Sequence, residues 1–335
     1  MAATLSSDGY DLEFEPLRDA AKESFKQLWS LPHDQFMEAW ASSPAALTED
    51  TPKIEEIDVS HELIPVRDGE KIELQVYRPK GVQGVLPLYL VFHGGGWVVG
   101  SHSVEEATNR FVCVKNKVVV VSVDYRMAPK YKFPYAVNDA FDALKWCRDN
   151  ASKLSIDTQR TILAGGSAGS NIATALALKL RDENLLSGVI GQMLNIPATC
   201  HPDLADQAAK RYNRKMTSFE ENKDGYVVTK DQMYWFWNHY TTKAESHPYA
   251  SPLLAESHAN LPPALVQVSE RDTLRDEGLA YAAALKAAGV PVKLNTYPGL
   301  PHAFYMFTEL KQTARYHAAV VEWVGELLEN SGKAN

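Results

Sequence analysis

The sequence predicts an α/β protein with a central, mostly parallel eight-stranded sheet, helices on both faces and a helical cap. Three strand candidates, residues 86–92, 118–123 and 161–165, are apolar at nearly every position. Continuous apolar runs are typical of parallel strands that are covered on both faces. Helical stretches alternate with such runs through the middle and the end of the chain. This alternation indicates a doubly wound sheet.

The remaining elements are predicted in chain order. Residues 1–55 have apolar side chains at helical spacing, and two stretches after Ile57 alternate in polarity as antiparallel edge strands do. Residues 199–250 interrupt the strand and helix alternation with an aromatic-rich segment that reads as a helical insertion. We therefore predict four segments: an N-terminal cap segment 1–55, a first core part 56–198, a cap insertion 199–250 and a second core part 251–335.

Composition and charge exclude several classes of protein. There are 34 basic and 42 acidic residues, a net charge of -8, and no cluster of basic and aromatic residues. Nucleic acid is therefore not an expected partner. There is neither a leader-like start nor an apolar run of about 18 residues, so we expect a cytoplasmic protein without integral membrane association. A homodimer is compatible with the sequence, and neither a cofactor nor a metal is expected.

A serine lies in a motif between a predicted strand and a predicted helix. Gly165-Gly166-Ser167-Ala168-Gly169 matches the pattern G-x-S-x-G. A sharp strand-to-helix turn of this kind exposes the serine Oγ as a nucleophile, and glycines let the strand and the helix approach. An ordinary glycine-rich turn is the alternative, because the pattern alone is frequent. The context favours a nucleophile at Ser167.

A glycine-rich loop follows an earlier strand. It reads His-Gly-Gly-Gly-Trp over residues 93–97, and its backbone N–H groups are not screened by side chains. We predict the amides of Gly94 and Gly95 as oxyanion donors, with the Ala168 amide as a third. The alternative is a phosphate or dinucleotide loop, but the spacing of the glycines does not fit those motifs.

A base and an acid are predicted from the loops after the last two strands. His302 follows the last strand, and Asp272 follows the strand before it. The order serine, acid, histidine is the one expected for this type of nucleophile. Glu270 and Asp276 are rival acids, although Asp276 also suits the first turn of the following helix. We assign Ser167 as nucleophile, His302 as general base and Asp272 as the group that orients the imidazole.

Several further segments share one resemblance. HGGGW, DYRMAP, GGSAG, ASPL, ERDTLRDEG and PHAF, spread over residues 57–328, resemble the hormone-sensitive-lipase family of α/β-hydrolase carboxylesterases. The resemblance implies an α/β-hydrolase fold and hydrolysis of short to medium acyl esters of a small molecule through an acyl-enzyme. Two positions depart from the family: Gly166 stands where an acid is common, and Thr273 where a proline is common.

The substrate pocket and two alternative functions stay open at this point. Trp97, Trp235 and Tyr240 are candidate pocket residues, although aromatic side chains at helical spacing can equally pack a cap core. One alternative is a secondary-metabolite hydrolase or cyclase with the same triad. The other is a small-ligand receptor similar to plant gibberellin receptors, which lack the catalytic histidine. His302 argues against the receptor.

Overall fold

All eight predicted strands join in one sheet in the computed structural model, which describes residues 4–333. The sequence prediction of an α/β fold with this sheet is confirmed. The strands are β1 Ile57–Pro65, β2 Lys71–Pro79, β3 Leu86–Phe92, β4 Val119–Asp124, β5 Ile156–Gly166, β6 Val189–Asn195, β7 Ala264–Arg271 and β8 Val292–Pro301.

The strand order decides which loops meet. It is β1-β2-β4-β3-β5-β6-β7-β8, with β1, β2 and β4 paired antiparallel and every pair from β4 to β8 parallel. Parallel strands end at the same edge of a sheet, so the segments that follow β3, β5, β7 and β8 converge there. Ligands of open α/β sheets bind beyond this carboxyl edge.

Eleven α-helices lie within residues 4–333: α1 Arg18–Trp29, α2 His33–Ala41, α3 Glu106–Asn116, α4 Tyr135–Asp149, α5 Ala151–Leu154, α6 Ala168–Asp182, α7 Ala205–Tyr212, α8 Ser218–Glu221, α9 Lys230–Tyr240, α10 Arg275–Ala287 and α11 Lys311–Lys333. Helix α3 has a buried face of mixed polarity, with Thr108 and Asn109 buried beside Val112 and Cys113. None of the described helices has the length and apolar character needed to cross a membrane.

The sheet is buried on both faces, as the apolar strands require. Every side chain of β3 is buried. Leu90 packs on the face covered by α4, α6 and α10, whereas the next residue, Val91, packs on the face covered by α3 and α11. Each fully buried Val or Leu side chain contributes about 1.5 to 3 kcal/mol. These two layers hold the carboxyl edge of the sheet in a fixed geometry.

Helices from two distant parts of the chain pack together beyond the carboxyl edge. Helices α1 and α2 come from the N-terminal segment, and α7 to α9 lie in the connection between β6 and β7. The Trp235 ring of α9 lies 5.3 Å from the ring of Trp29 and 5.8 Å from the ring of Phe36. The division into cap and core segments stays a prediction.

Candidate active site

Ser167 occupies a strained turn between β5 and α6. Its φ of +53° and ψ of -114° lie in a region that residues with side chains rarely adopt. The Ser167 amide donates to the Asn195 carbonyl at 2.9 Å, which ties the turn to the end of β6. Such strain persists only where the surrounding structure enforces it, and it is concentrated at functional sites.

The two outer glycines of the motif are required by space. A Cβ atom on Gly165 would lie 2.3 Å from the carbonyl carbon of Gly169. A Cβ atom on Gly169 would lie 2.0 Å from the carbonyl oxygen of Phe92. Both distances are far below van der Waals contact with rigid backbone. The glycines therefore permit α6 to begin directly against β3 and β5.

The structure brings the three predicted triad residues together. His302 Nε2 lies 3.1 Å from Ser167 Oγ, and His302 Nδ1 lies 2.7 Å from Asp272 Oδ2. The other carboxylate oxygen of Asp272 accepts the Leu274 amide at 2.9 Å. All three side chains are buried, with exposed fractions of 7% for Ser167, 2% for Asp272 and 6% for His302. The arrangement suits proton transfer from the serine to the histidine.

The two rival carboxylates have other partners. Glu270 accepts the backbone amide of Gly299 at 2.8 Å. Asp276 accepts the amides of Thr217 and Ser218 at 2.7 and 2.8 Å, at the start of α8. Each carboxylate thus stabilises a local backbone turn. Of the three acids, Asp272 is the one that contacts the histidine.

The histidine of the glycine-rich loop is structural. His93 is completely buried, and its ring stacks on Tyr125 with the ring centres 4.3 Å apart. Burial lowers the pKa of His93 to about 4, so the ring is neutral at pH 7. Its Nδ1 lies 2.7 Å from the Gly94 carbonyl, and because a carbonyl only accepts, Nδ1 carries the proton. This bond orients the loop.

The predicted oxyanion donors lie around Ser167. No backbone carbonyl within residues 4–333 accepts the amides of Gly94, Gly95 or Ala168. Gly95 has a φ of +112° and Gly96 a φ of +59°, which favour glycine. The Gly94 amide, however, lies beside the Glu105 carboxyl group, whose pKa burial raises and this amide lowers in smaller part. Gly94 therefore has a competing acceptor, and Gly96 becomes a further candidate donor that the sequence reasoning missed.

A mostly apolar cavity of about 120 Å³ opens above Ser167 and His302. An engineered cavity of about 150 Å³ admits benzene, so this space accommodates a small organic group. Its walls come from the N-terminal helices, from α9 and from the segment after His302. The large apolar side chains of the cavity wall are Trp29, Trp40, Val104, Ile196, Val227, Val228, Met233, Phe236 and Met306.

The three aromatic residues predicted to line the pocket lie elsewhere. Trp97 and Tyr240 are fully buried and stack with their ring centres 4.3 Å apart, outside the cavity wall. Trp235 borders a separate outer groove beside Phe36. None of these three side chains belongs to the wall of the cavity above Ser167. Helix α9 directs Phe236 toward the cavity instead. Because successive side chains of a helix are rotated by about 100°, the adjacent Trp235 faces a different side.

Two buried titratable residues near the cavity were not predicted. Burial raises the pKa of the Glu105 carboxyl to about 7 and lowers the pKa of His317 to about 4. His317 stacks on Phe111 with the ring centres 4.8 Å apart and contributes to the cavity wall. Both residues belong to the segments around α3 and α11, where no sequence motif singles them out.

Comparisons with known proteins agree with this geometry. A family model described as the α/β-hydrolase fold matches residues 89–306. Versiconal hemiacetal acetate esterase of Dothistroma septosporum is 33% identical over 263 residues, which cover 78% of this chain and 79% of that protein.

Solved structures extend the match to nearly the whole chain. A thermostable esterase from Pseudomonas putida has a TM-score of 0.82 and 33% identity, covering 96% of this chain and 98% of that one. Vibralactone cyclase has a TM-score of 0.80 and 30% identity, covering 99% of each chain. The chain thus belongs to the hormone-sensitive-lipase family of the α/β-hydrolase fold and is a serine hydrolase of the carboxylesterase type.

Proposed function

We propose that this esterase hydrolyses short to medium acyl esters of a small molecule through an acyl-enzyme on Ser167. The observation that supports this most strongly is the chain of contacts from Ser167 Oγ to His302 and on to Asp272 at the floor of a mostly apolar cavity. A nucleophile, a base and an orienting group within hydrogen-bond reach are the requirements of this chemistry.

The two half-reactions follow from the geometry. His302 Nε2 removes the proton of Ser167 Oγ as the oxygen attacks the ester carbonyl, and it then delivers that proton to the departing alcohol. Asp272 holds the imidazole in the tautomer with the proton on Nδ1 and stabilises the imidazolium that forms. A water molecule, deprotonated by His302, attacks the acyl-enzyme; the bond from the acyl carbon to Ser167 Oγ breaks, His302 returns the proton to Oγ, and the carboxylic acid is released.

The negative charge on the former carbonyl oxygen needs preorganised donors. We assign the amides of Gly95 and Ala168 to this role, with a third donor from Gly94 or Gly96. Ala168 is the first residue of α6, so its amide also contributes the positive end of a helix dipole. Removing one such donor typically lowers turnover by about 10² to 10³.

Covalent labelling tests the nucleophile and the base. A fluorophosphonate probe should label the intact protein, and labelling should disappear in Ser167→Ala and slow strongly in His302→Ala. Ser152 is an exposed serine, so Ser152→Ala is the matched control and should be labelled like the intact protein. Labelling that persists in Ser167→Ala, or that is absent from the intact protein, contradicts the proposal.

A panel of nitrophenyl esters from acetate to decanoate tests the acyl preference. Because the cavity has roughly the size of one that admits benzene, we expect kcat/KM to be greatest at or below hexanoate. A steady rise up to decanoate would show that long acyl chains are the preferred substrates.

Lactone formation is a second candidate reaction. The largely apolar cavity limits water near the acyl-enzyme, which favours attack by a hydroxyl group of the acyl chain itself. Similarity to vibralactone cyclase over the whole chain supports the same possibility. Mass spectrometry of the products from hydroxyacyl esters distinguishes a lactone from the hydroxy acid. A role in binding alone is disfavoured because His302 stands within reach of Ser167.

A further inference from the structure

Glu105 is a buried acid whose surroundings leave its carboxylate unpaired. It ends a short 3-10 turn, His102–Glu105, directly before α3, and its residue exposure is 2%. Neither carboxylate oxygen has a hydrogen-bond partner among residues 4–333. Burying an unpaired acid is costly, and such groups in a folded protein are rare enough to require an explanation.

The carboxylate lies against the residue that precedes the nucleophile. A Cβ atom on Gly166 would lie 2.4 Å from Glu105 Oε1 and 2.8 Å from Tyr305 Oη. Gly166 is the last residue of β5 and does not have a positive φ. Space, and not backbone conformation, therefore requires glycine here. Glu105 fills the volume that a side chain at position 166 would need.

The same carboxylate lies against the glycine-rich loop. The Gly94 amide is beside it, and a Cβ atom on Gly94 would lie 3.1 Å from the Gly166 carbonyl oxygen. The loop that supplies oxyanion donors and the turn that supplies the nucleophile thus contact each other, with Glu105 bordering both. A displacement of either by about 1 Å can lower the rate by about 10².

We propose that Glu105 is a positioning residue that fixes the spacing between the glycine-rich loop and the Ser167 turn, and that Gly166 is glycine because it leaves room for this carboxyl group. The inference rests on the proposed function, because the spacing matters only if the loop amides and Ser167 act on one carbonyl. Glu105 itself does not touch the substrate, since it lies behind the cavity wall.

Substitutions at position 105 separate a requirement for the carboxyl oxygens, which lie beside Gly166 and the Gly94 amide, from simple filling of space. Glu105→Leu keeps the approximate volume but loses both acceptor oxygens, and Glu105→Gln keeps one of them. We expect kcat to fall about 100-fold in Glu105→Leu and about 10-fold in Glu105→Gln, with KM changing less than about threefold. Glu106→Gln, next in the chain and paired with Arg110 near the surface, is the matched control and should keep its kcat.

Transferring the carboxyl group from position 105 to position 166 tests the contact between Glu105 and Gly166. An aspartate carboxylate at position 166 starts from the Cβ that lies beside Glu105 Oε1 and therefore enters the volume that Glu105→Ala vacates. Gly166→Asp alone should lower kcat because two acids compete for one space. The double variant Glu105→Ala/Gly166→Asp should have a kcat at least 10-fold above Glu105→Ala.

Two results would overturn the proposal: a wild-type kcat in Glu105→Gln, or a double variant no better than Glu105→Ala. If the other variants do not fold, the kcat of Glu105→Gln alone tests the proposal, because glutamine is nearly isosteric with glutamate. Failure of the underlying function is distinguishable, since the intact protein would then lack fluorophosphonate labelling at Ser167. A purely structural role would lower stability and kcat together in Glu105→Gln, whereas the proposal requires a slower enzyme without loss of stability.

Discussion

Glu105→Gln should raise the free energy of unfolding at pH 8 and change it little near pH 5. Burial raises the pKa of this carboxyl to about 7 from the ordinary 4.5. The folded protein therefore holds the proton more tightly than the unfolded chain does. That stabilisation is fully present below pH 4.5 and is lost as the pH rises through 7. Glutamine has no proton to lose, so the variant avoids this penalty.

The size of the effect follows from the difference between the two pKa values. Each unit corresponds to about 1.36 kcal/mol, so the rise from 4.5 to about 7 corresponds to about 3 kcal/mol at pH 8. Near pH 5 the difference is below about 1 kcal/mol. The titratable groups facing Glu105 are tyrosines whose pKa values burial raises, so they stay neutral: Tyr89, Tyr125, Tyr305 and Tyr316.

Urea unfolding, followed by tryptophan fluorescence at pH 5 and pH 8, measures this difference. Other titrating residues are common to both proteins and cancel in the comparison. Glu106→Gln, measured in parallel, should show no pH-dependent difference from the intact protein. An equal effect of Glu105→Gln at the two pH values would refute the reasoning, because it would mean that Glu105 has the same pKa in the folded and unfolded chains.

Three further outcomes are expected. Trp97→Ala should lower the free energy of unfolding by about 3 to 5 kcal/mol because it leaves a cavity in the packed core. Trp40→Ala should mainly raise KM because Trp40 lies in the cavity wall. Urea unfolding curves and steady-state kinetics of both variants measure these effects. Asp272→Asn should lower kcat by orders of magnitude, whereas Asp276→Asn should weaken the start of α8 and leave kcat nearly unchanged. Burial lowers the pKa of His317 from 6.5 to about 4, so the intact protein loses stability as the pH falls from 6.5 to 4. Between these pH values, His317→Gln should lose about 3 kcal/mol less of its free energy of unfolding than the intact protein does.

Opposite outcomes would identify the error in each case. If Trp97→Ala is as stable as the intact protein and has a raised KM, Trp97 contacts the substrate. A larger loss of kcat in Asp276→Asn than in Asp272→Asn would transfer the role of the acid. Acid unfolding curves that are identical with and without His317 would mean that its ring is protonated in the folded protein as readily as in the unfolded chain.

The sequence predicted those parts of the site that depend on local pattern. Ser167 is recognisable because glycines, strand and helix are adjacent in the chain. Asp272 and His302 are recognisable because parallel strands end at one edge, so residues directly after two late strands must meet there. For the same reason the sheet itself was predictable from its apolar runs.

The remaining parts depend on contacts between distant segments. Whether Trp235 or Phe236 faces the cavity depends on the rotation of α9 against α1 and α2, which helical spacing alone does not determine. Glu105 resembles an ordinary acid at the start of a helix until its contact with Gly166, distant in the chain, is known. Trp29 and Trp40 were visible as apolar positions, but their place in the cavity wall was not.

The position of the β6–β7 connection has a consequence for how such enzymes diversify. This connection contains α7 to α9 and supplies Val227, Met233 and Phe236 to the cavity wall, whereas Ser167, Asp272 and His302 follow β5, β7 and β8. The entropic cost of a loop grows only slowly with its length. Insertions, deletions and exchanges within the connection can therefore change the shape of the cavity while the spacing of Ser167, Asp272 and His302 stays fixed by strand pairing. A new specificity becomes accessible without a new catalytic apparatus.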